Sequence, residues 1–82
     1  MFKYVIYLSS EAKPKDAGNS YGYWKGKTHI YGGILIPLTR DVVDEYTRKY
    51  KSRKRAENMA EKLADRCGYV MSWVVEEIES SQ

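Results

Sequence analysis

Three groups of residues in this chain are of types that could do chemistry, and each type needs a particular spacing to do it. The first is Gly26, Lys27 and Thr28, within GYWKGKTHIYGG (residues 22–33). A phosphate-cradling loop requires a glycine, four residues of any kind and then Gly-Lys-Ser/Thr. A helix must begin next, so that its N-terminal N–H groups meet the phosphate. Here Tyr21 occupies the position five before Gly26, Gly22 stands one residue too close, and the HIYGGILI that follows Thr28 reads as strand. The spacing therefore predicts the turn of a β-hairpin at KGK, with Gly26 supplying a positive φ. The second group pairs His29, the only histidine, with Cys67, the only cysteine. Cysteine and histidine can act as nucleophile and base, but Cys67 falls on the apolar stripe of a predicted helix, where a cysteine is a small buried hydrophobe. The third group is Glu76, Glu77 and Glu79, crowded into one run. Hard-cation sites draw their oxygens from several loops, so these carboxylates read as solvated charge. No enzyme, metal or cofactor is expected.

The strongest signal is electrostatic. Net charge is only +3, yet RKYKSRKR (residues 48–55) carries six basic residues in eight, while EEIESSQ carries three glutamates and no base. Arg48, Lys49, Lys51, Arg53, Lys54 and Arg55 straddle the start of the predicted helix, where the macrodipole opposes each cation by roughly a few tenths of a kcal/mol. An anionic partner would account for that placement. On the hairpin, Lys25 and Lys27 stand among Tyr21, Tyr23, Trp24, His29 and Tyr31. Aromatic stacking beside lysines is a common way to hold single-stranded nucleic acid, so Lys25, Lys27 and Tyr23 join the six as expected contacts. Period two sets Trp24 opposite Tyr21 and Tyr23, which assigns at least one aromatic to the core.

The elements that must position these residues can be read from hydropathy. Eighty-two residues with 43% hydrophobic and eleven aromatic side chains predict a single domain, 1–82, with one small core. One cysteine excludes an internal disulfide and fits a reducing, cytoplasmic setting. MFKYVIYLSS reads as a strand rather than a signal peptide, and no run approaches the roughly 18–20 apolar residues of a membrane span. FKYVIYL alternates as a strand near the sheet centre, and SSEAKPKDAGNS is a surface loop. YGYW and THIYGGILIPL flank KGK as the second and third strands, with Gly32 and Gly33 marking a bulge or close approach and Pro37 ending the ladder. TRDVVDEY suggests a short helix with Thr39 as N-cap and Asp41 in its first turn. Ser52 then caps the main helix, whose apolar stripe is Ala56, Met59, Ala60, Leu63, Ala64 and Cys67. Gly68 is its expected stop. The outward face carries Glu57, Glu61 and Asp65 in one row and Lys54, Lys62 and Arg66 in another. YVMSWVVEEI closes the pattern as a strand beside the first, with Met71 and Trp73 in the core. The predicted class is α+β: a mainly antiparallel sheet of about four strands in the order β-β-β-α-β, one amphipathic helix on one face, and a short extra helix before it.

YKSRKRAENMAEKL (residues 50–63) has an aromatic, a capping serine and an alanine every fourth residue after a hairpin. It resembles the strand-then-helix half of many small proteins carried by bacteriophages and prophages, over residues 46–78. It also looks superficially like three-stranded DNA-binding domains in which one helix backs the sheet. Phage proteins of this size often inhibit or modulate host nucleic-acid enzymes, CRISPR nucleases among them. The resemblance therefore implies a non-enzymatic, anti-CRISPR-like binding module in the bacterial cytoplasm, whose partner is a host nucleic-acid-handling protein or its RNA or DNA. Its basic balance departs from acidic DNA mimics and points to an acidic surface, guide RNA or DNA. The alternatives are a small DNA- or RNA-binding regulator and a structural protein that forms a homodimer through an exposed edge strand.

Overall fold

Residues 2–15 and 17–79 are described by a computed structural model of the chain. Strands β1 (Phe2–Ser9), β2 (Tyr23–Tyr31) and β3 (Ile34–Arg40) are followed by helix α1 (Arg53–Arg66) and strand β4 (Ser72–Glu79). All pairings are antiparallel, and the sheet order is β3-β2-β1-β4. This is the α+β arrangement the hydropathy predicts. The alternation of β1 explains its central place: Ile6 and Leu8 bury on the helix side, and Val5, also fully buried, lies on the other. β4 returns beside β1 along its whole length, from Phe2 opposite Glu79 to Ser9 opposite Ser72.

Ser52 caps α1 as predicted, its hydroxyl accepting the Arg55 N–H at 3.2 Å. The small side chains of Ala56 and Ala60 let the helix lie close on the sheet, where Leu63 and Cys67 join Ile6, Leu8, Trp24, Val70 and Val75 in the core. Gly68 does not end the helix by a left-handed turn. Its role is clearance, since a Cβ there would collide with Ile34, and it is Tyr69 that adopts a positive φ of 65°. Met71, expected in the core, is 68% exposed: its N–H donates to Ser9 O just before β4, but its side chain lines a surface cleft with Tyr21 and Tyr69, while Trp73 packs partly against the core.

The hairpin inverts two predicted assignments. Its turn is Gly32–Gly33, both at positive φ (58° and 81°), as a two-residue type I′ turn needs. KGK lies within β2 instead. Trp24 pairs with Thr39 and Thr28 with Pro37, so residues 25–27 stand opposite the single residue Leu38. That mismatch is a β-bulge, and Gly26 at φ 86° supplies its backbone. Pro37 does not end the ladder either. β3 is an edge strand, and the Leu35 carbonyl points away from β2 to accept the Gly68 N–H. Pro37 shares that outward parity, so its missing donor costs β2 nothing and blunts the free edge.

No helix forms over residues 39–47. Thr39 and Arg40 belong to β3, and the chain then turns about Asp44. The Asp44 carboxylate accepts the Tyr46 N–H and pairs with Arg40, while its own N–H donates to Thr47 Oγ1. This local side-chain bonding outcompetes a helix that β-branched Val42 and Val43 already disfavour. The residues that follow stitch β1 to β2 where those strands diverge: Arg48 N–H donates to Trp24, and Tyr50 exchanges both backbone bonds with Tyr4.

Candidate functional site

The stitched segment divides the basic stretch in two. Arg48 lays its aliphatic chain against Gly26, where a Cβ would come within 3.2 Å of its Cδ, and its guanidinium sits 5.6 Å from the Tyr50 ring centre. Lys49 Nζ donates to the Asp44 and Thr47 carbonyls, tying the turn. Arg53 reaches back to the sheet, donating to Val75 O at 3.3 Å with its guanidinium 5.2 Å from the Tyr4 ring. These three cations are part of the fold. Lys51, Lys54 and Arg55 are exposed and have no ion-pair or hydrogen-bond partner for their side chains among the described residues. They crowd an N-terminus whose first turn holds no acid.

Of the hairpin residues, Lys25 and Lys27 lie in the bulge on either side of Gly26, which Arg48 touches, and Lys25 Nζ lies 5.8 Å from the Tyr46 ring. Tyr23 is elsewhere. It faces away from α1, makes an edge contact with Tyr7, and donates its hydroxyl to Glu76 at 2.7 Å. Trp24 is the core aromatic, 2% exposed on the helix side, with its indole N–H donated to Tyr50. Tyr21, which precedes β2, packs against that same core and donates to Gly68 O. The hairpin aromatics thus divide between two faces: Tyr21 and Trp24 pack on the helix side, while Tyr23, His29 and Tyr31 share the other, Tyr31 being exposed.

Tyr23 belongs to a matched charge cluster. Lys15, from the long loop after β1, sits 3.8 Å from the Tyr7 ring centre and pairs with Glu76 at 2.7 Å. Burial opposes the charge on Glu76, but hydrogen bonds from Lys15 and Tyr23 outweigh it and hold the carboxyl below its usual range. Burial likewise works against the Lys15 ammonium, and its bonds to Glu76 and Tyr23 more than offset this, raising its pKa. The adjacent Glu77 faces the other way and accepts the Tyr4 hydroxyl, so the glutamates do not converge. Among the described residues no group of acidic, histidine or cysteine side chains could hold a metal ion. His29 and Cys67 are likewise apart: His29 is exposed on the face of β2 opposite Thr28, whereas Cys67 lies in the core, where burial pushes its thiol pKa up.

A groove of about 250 Å³ separates the bulged hairpin from α1. Its apolar surface comes from Trp24, Leu35, Met59 and Leu63, its hairpin wall from Gly26 and Thr28, and its helix bank from Lys62 and Arg66. The row predicted as Lys54, Lys62 and Arg66 begins in fact at Arg55. Seven residues are close to two helical turns and eight are not, so Arg55, Met59, Lys62 and Arg66 share one stripe. This bank was missed by the linear reading. Its i, i+4, i+7, i+11 spacing was present, but the hairpin residues that form the opposite wall are brought there only by the tertiary fold. A larger cleft, about 610 Å³, includes Tyr21, Tyr69 and Met71, and its one charged wall is Glu11. It carries none of the cations, so the smaller groove is the better match to the basic face.

No protein-family model matches the sequence, and no curated protein and no solved structure is similar enough to match it. Function therefore rests on the side chains themselves. No helix among the described residues is long and apolar enough to cross a membrane.

Proposed function

We propose that the chain is a non-enzymatic binding module that docks on an acidic surface of a nucleic-acid-handling protein, in the manner of small phage proteins that inhibit or modulate such host enzymes. The observation that carries this reading is the set of unmatched cations: Lys51, Lys54 and Arg55 extend from a helix N-terminus that has no acid in its first turn. Like charges placed there raise the energy of the isolated fold, and an anionic partner reverses the sign of that effect. The divided aromatics favour a protein over single-stranded nucleic acid, because Trp24 is buried and Tyr23 is bonded to Glu76 on the other face.

The test compares the wild type with a Lys51→Gln, Lys54→Gln, Arg55→Gln variant. Anisotropy of labelled single-stranded and duplex DNA and RNA is measured at about 50 and 200 mM salt, with pull-down from bacterial lysate alongside. Weak nucleic-acid binding, with a nucleic-acid enzyme retained by the wild type and lost by the triple variant, supports the proposal. Micromolar nucleic-acid affinity that drops by orders of magnitude across that salt range would instead make the chain a direct DNA- or RNA-binding regulator. A concentration-dependent mass with neither partner bound would favour the homodimer.

A further inference from the structure

We infer, on the reading that the partner presents an acidic protein surface, that the groove between the β2 bulge and α1 is the slot for an acidic peptide segment carrying one large apolar side chain. Size is the first reason. At about 250 Å³ the groove is below the range of pockets that enclose drug-sized ligands, which begin near 300 Å³, and it suits a single leucine- or phenylalanine-sized anchor. Lining is the second: Leu35, Met59 and Leu63 offer apolar contact, and methionine adapts its shape to an incoming side chain.

Charge selects the chemistry around the anchor. Lys62 and Arg66 stand one turn apart on the bank, and like charges at that spacing disfavour the helix. Neither has an ion-pair partner among the described residues. Arg55 continues the same stripe toward the helix N-terminus. Across the groove, Gly26 forms part of the wall, and the aliphatic chain of Arg48 lies against that glycine. Cations along the helix bank of an apolar floor are complementary to carboxylates that flank an apolar residue. A partner hot spot of this kind is a buried anchor ringed by polar contacts that exclude water.

The experiment uses two fluorescein-labelled twelve-residue peptides, rich in glutamate and aspartate and identical except for a central Phe or Ala, with a twenty-nucleotide DNA as the third probe. Anisotropy is read for the wild type, a Lys62→Gln, Arg66→Gln variant, a Thr28→Trp variant that fills the slot, and the Lys51→Gln, Lys54→Gln variant outside it. The Phe peptide should bind about tenfold or more tightly than the Ala peptide. Thr28→Trp should erase that ratio, Lys62→Gln, Arg66→Gln should weaken the Phe peptide about tenfold, and Lys51→Gln, Lys54→Gln should weaken both peptides equally. A Phe-peptide shift of the Trp24 indole N–H resonance, seen in the wild type, checks the site without relying on a variant's folding. Equal binding of the two peptides would overturn the slot and leave the basic face as a purely electrostatic surface. Tight DNA binding with neither peptide held would overturn the slot and the protein-partner reading together, and so would no binding of any probe.

Discussion

Lys15 and Lys54 are both lysines on the surface of one small sheet protein, yet their surroundings are opposites. Lys15 is bracketed by Tyr7, Tyr23 and Glu76, each holding it in place. Lys54 and its neighbours Lys51 and Arg55 have nothing comparable, and they occupy the helix end where positive charge is least favourable. Matched charge on the one side fastens a loop to the sheet. Unmatched charge on the other is explained by what comes from outside.

The sharpest way to break the matched side is through Asn19. Its carboxamide oxygen accepts the Ser10 and Tyr21 N–H groups, and its nitrogen donates to the Leu8 and Tyr21 carbonyls and to the Tyr7 hydroxyl. Asn19→Ala leaves several part-buried groups unpaired and should cost about 2–3 kcal/mol in urea denaturation. A loss under about 0.5 kcal/mol would mean that the loop carrying Lys15 is held by something else.

Arg53 tests the division within the basic stretch itself. Its bond to Val75 and its contact with Tyr4 predict that Arg53→Ala lowers stability by about 1 kcal/mol. The charge pair comes next. The lowered pKa of Glu76 contributes stability that is present above the ordinary carboxylate value, about 4.3, and is lost as pH falls through the lower folded value. The raised pKa of Lys15 contributes below about 10.4 and is lost as pH rises through its folded value. Glu76→Gln should therefore flatten both the acid and the alkaline limbs of the stability profile. With Lys15 side-chain exposure at 54%, solvent screening limits each effect to under about 1 kcal/mol. Smallest of all, Lys51→Gln, Lys54→Gln, Arg55→Gln should change stability by no more than about 0.5 kcal/mol, with any shift upward. A large loss from that triple change would erase the contrast and make all six cations structural.

What the sequence revealed follows from which signals are local. The alternation of FKYVIYL and the stripe from Ala56 to Cys67 were legible because their periods of 2 and 3.6 act within each element. Ser52 was legible as a cap for the same reason. Gly32–Gly33 also carried a local hairpin signal, but KGK offered a competing one. The register between β2 and β3 decided which glycines turn and which bulge, and register is a property of two strands. The failure at residues 39–47 has two origins: pairing with Trp24 draws Thr39, which resembles a cap, into β3, and the Asp44 bonds to Arg40, Tyr46 and Thr47 then set a turn. For the site, residue type identified the six cations, but only packing could separate Arg48, Lys49 and Arg53 from Lys51, Lys54 and Arg55.

The central strand also has a consequence for how the chain is made. One edge of β1 is satisfied only by a distant partner, Tyr4 meeting Glu77, 73 positions away, whereas the other pairs with β2 near Tyr7 and with Tyr50 at Tyr4. Ribosomes add about 5–20 residues per second, so a nascent chain would carry the β4-facing edge of β1 unpaired for roughly 4–15 s before β4 emerges. The β2–β3 hairpin can close early, since its turn is local, but it leaves that edge of β1 open. Newly synthesised chains should therefore depend on chaperone cover at FKYVIYL, and crowded overexpression should drive them into inclusion bodies through that segment.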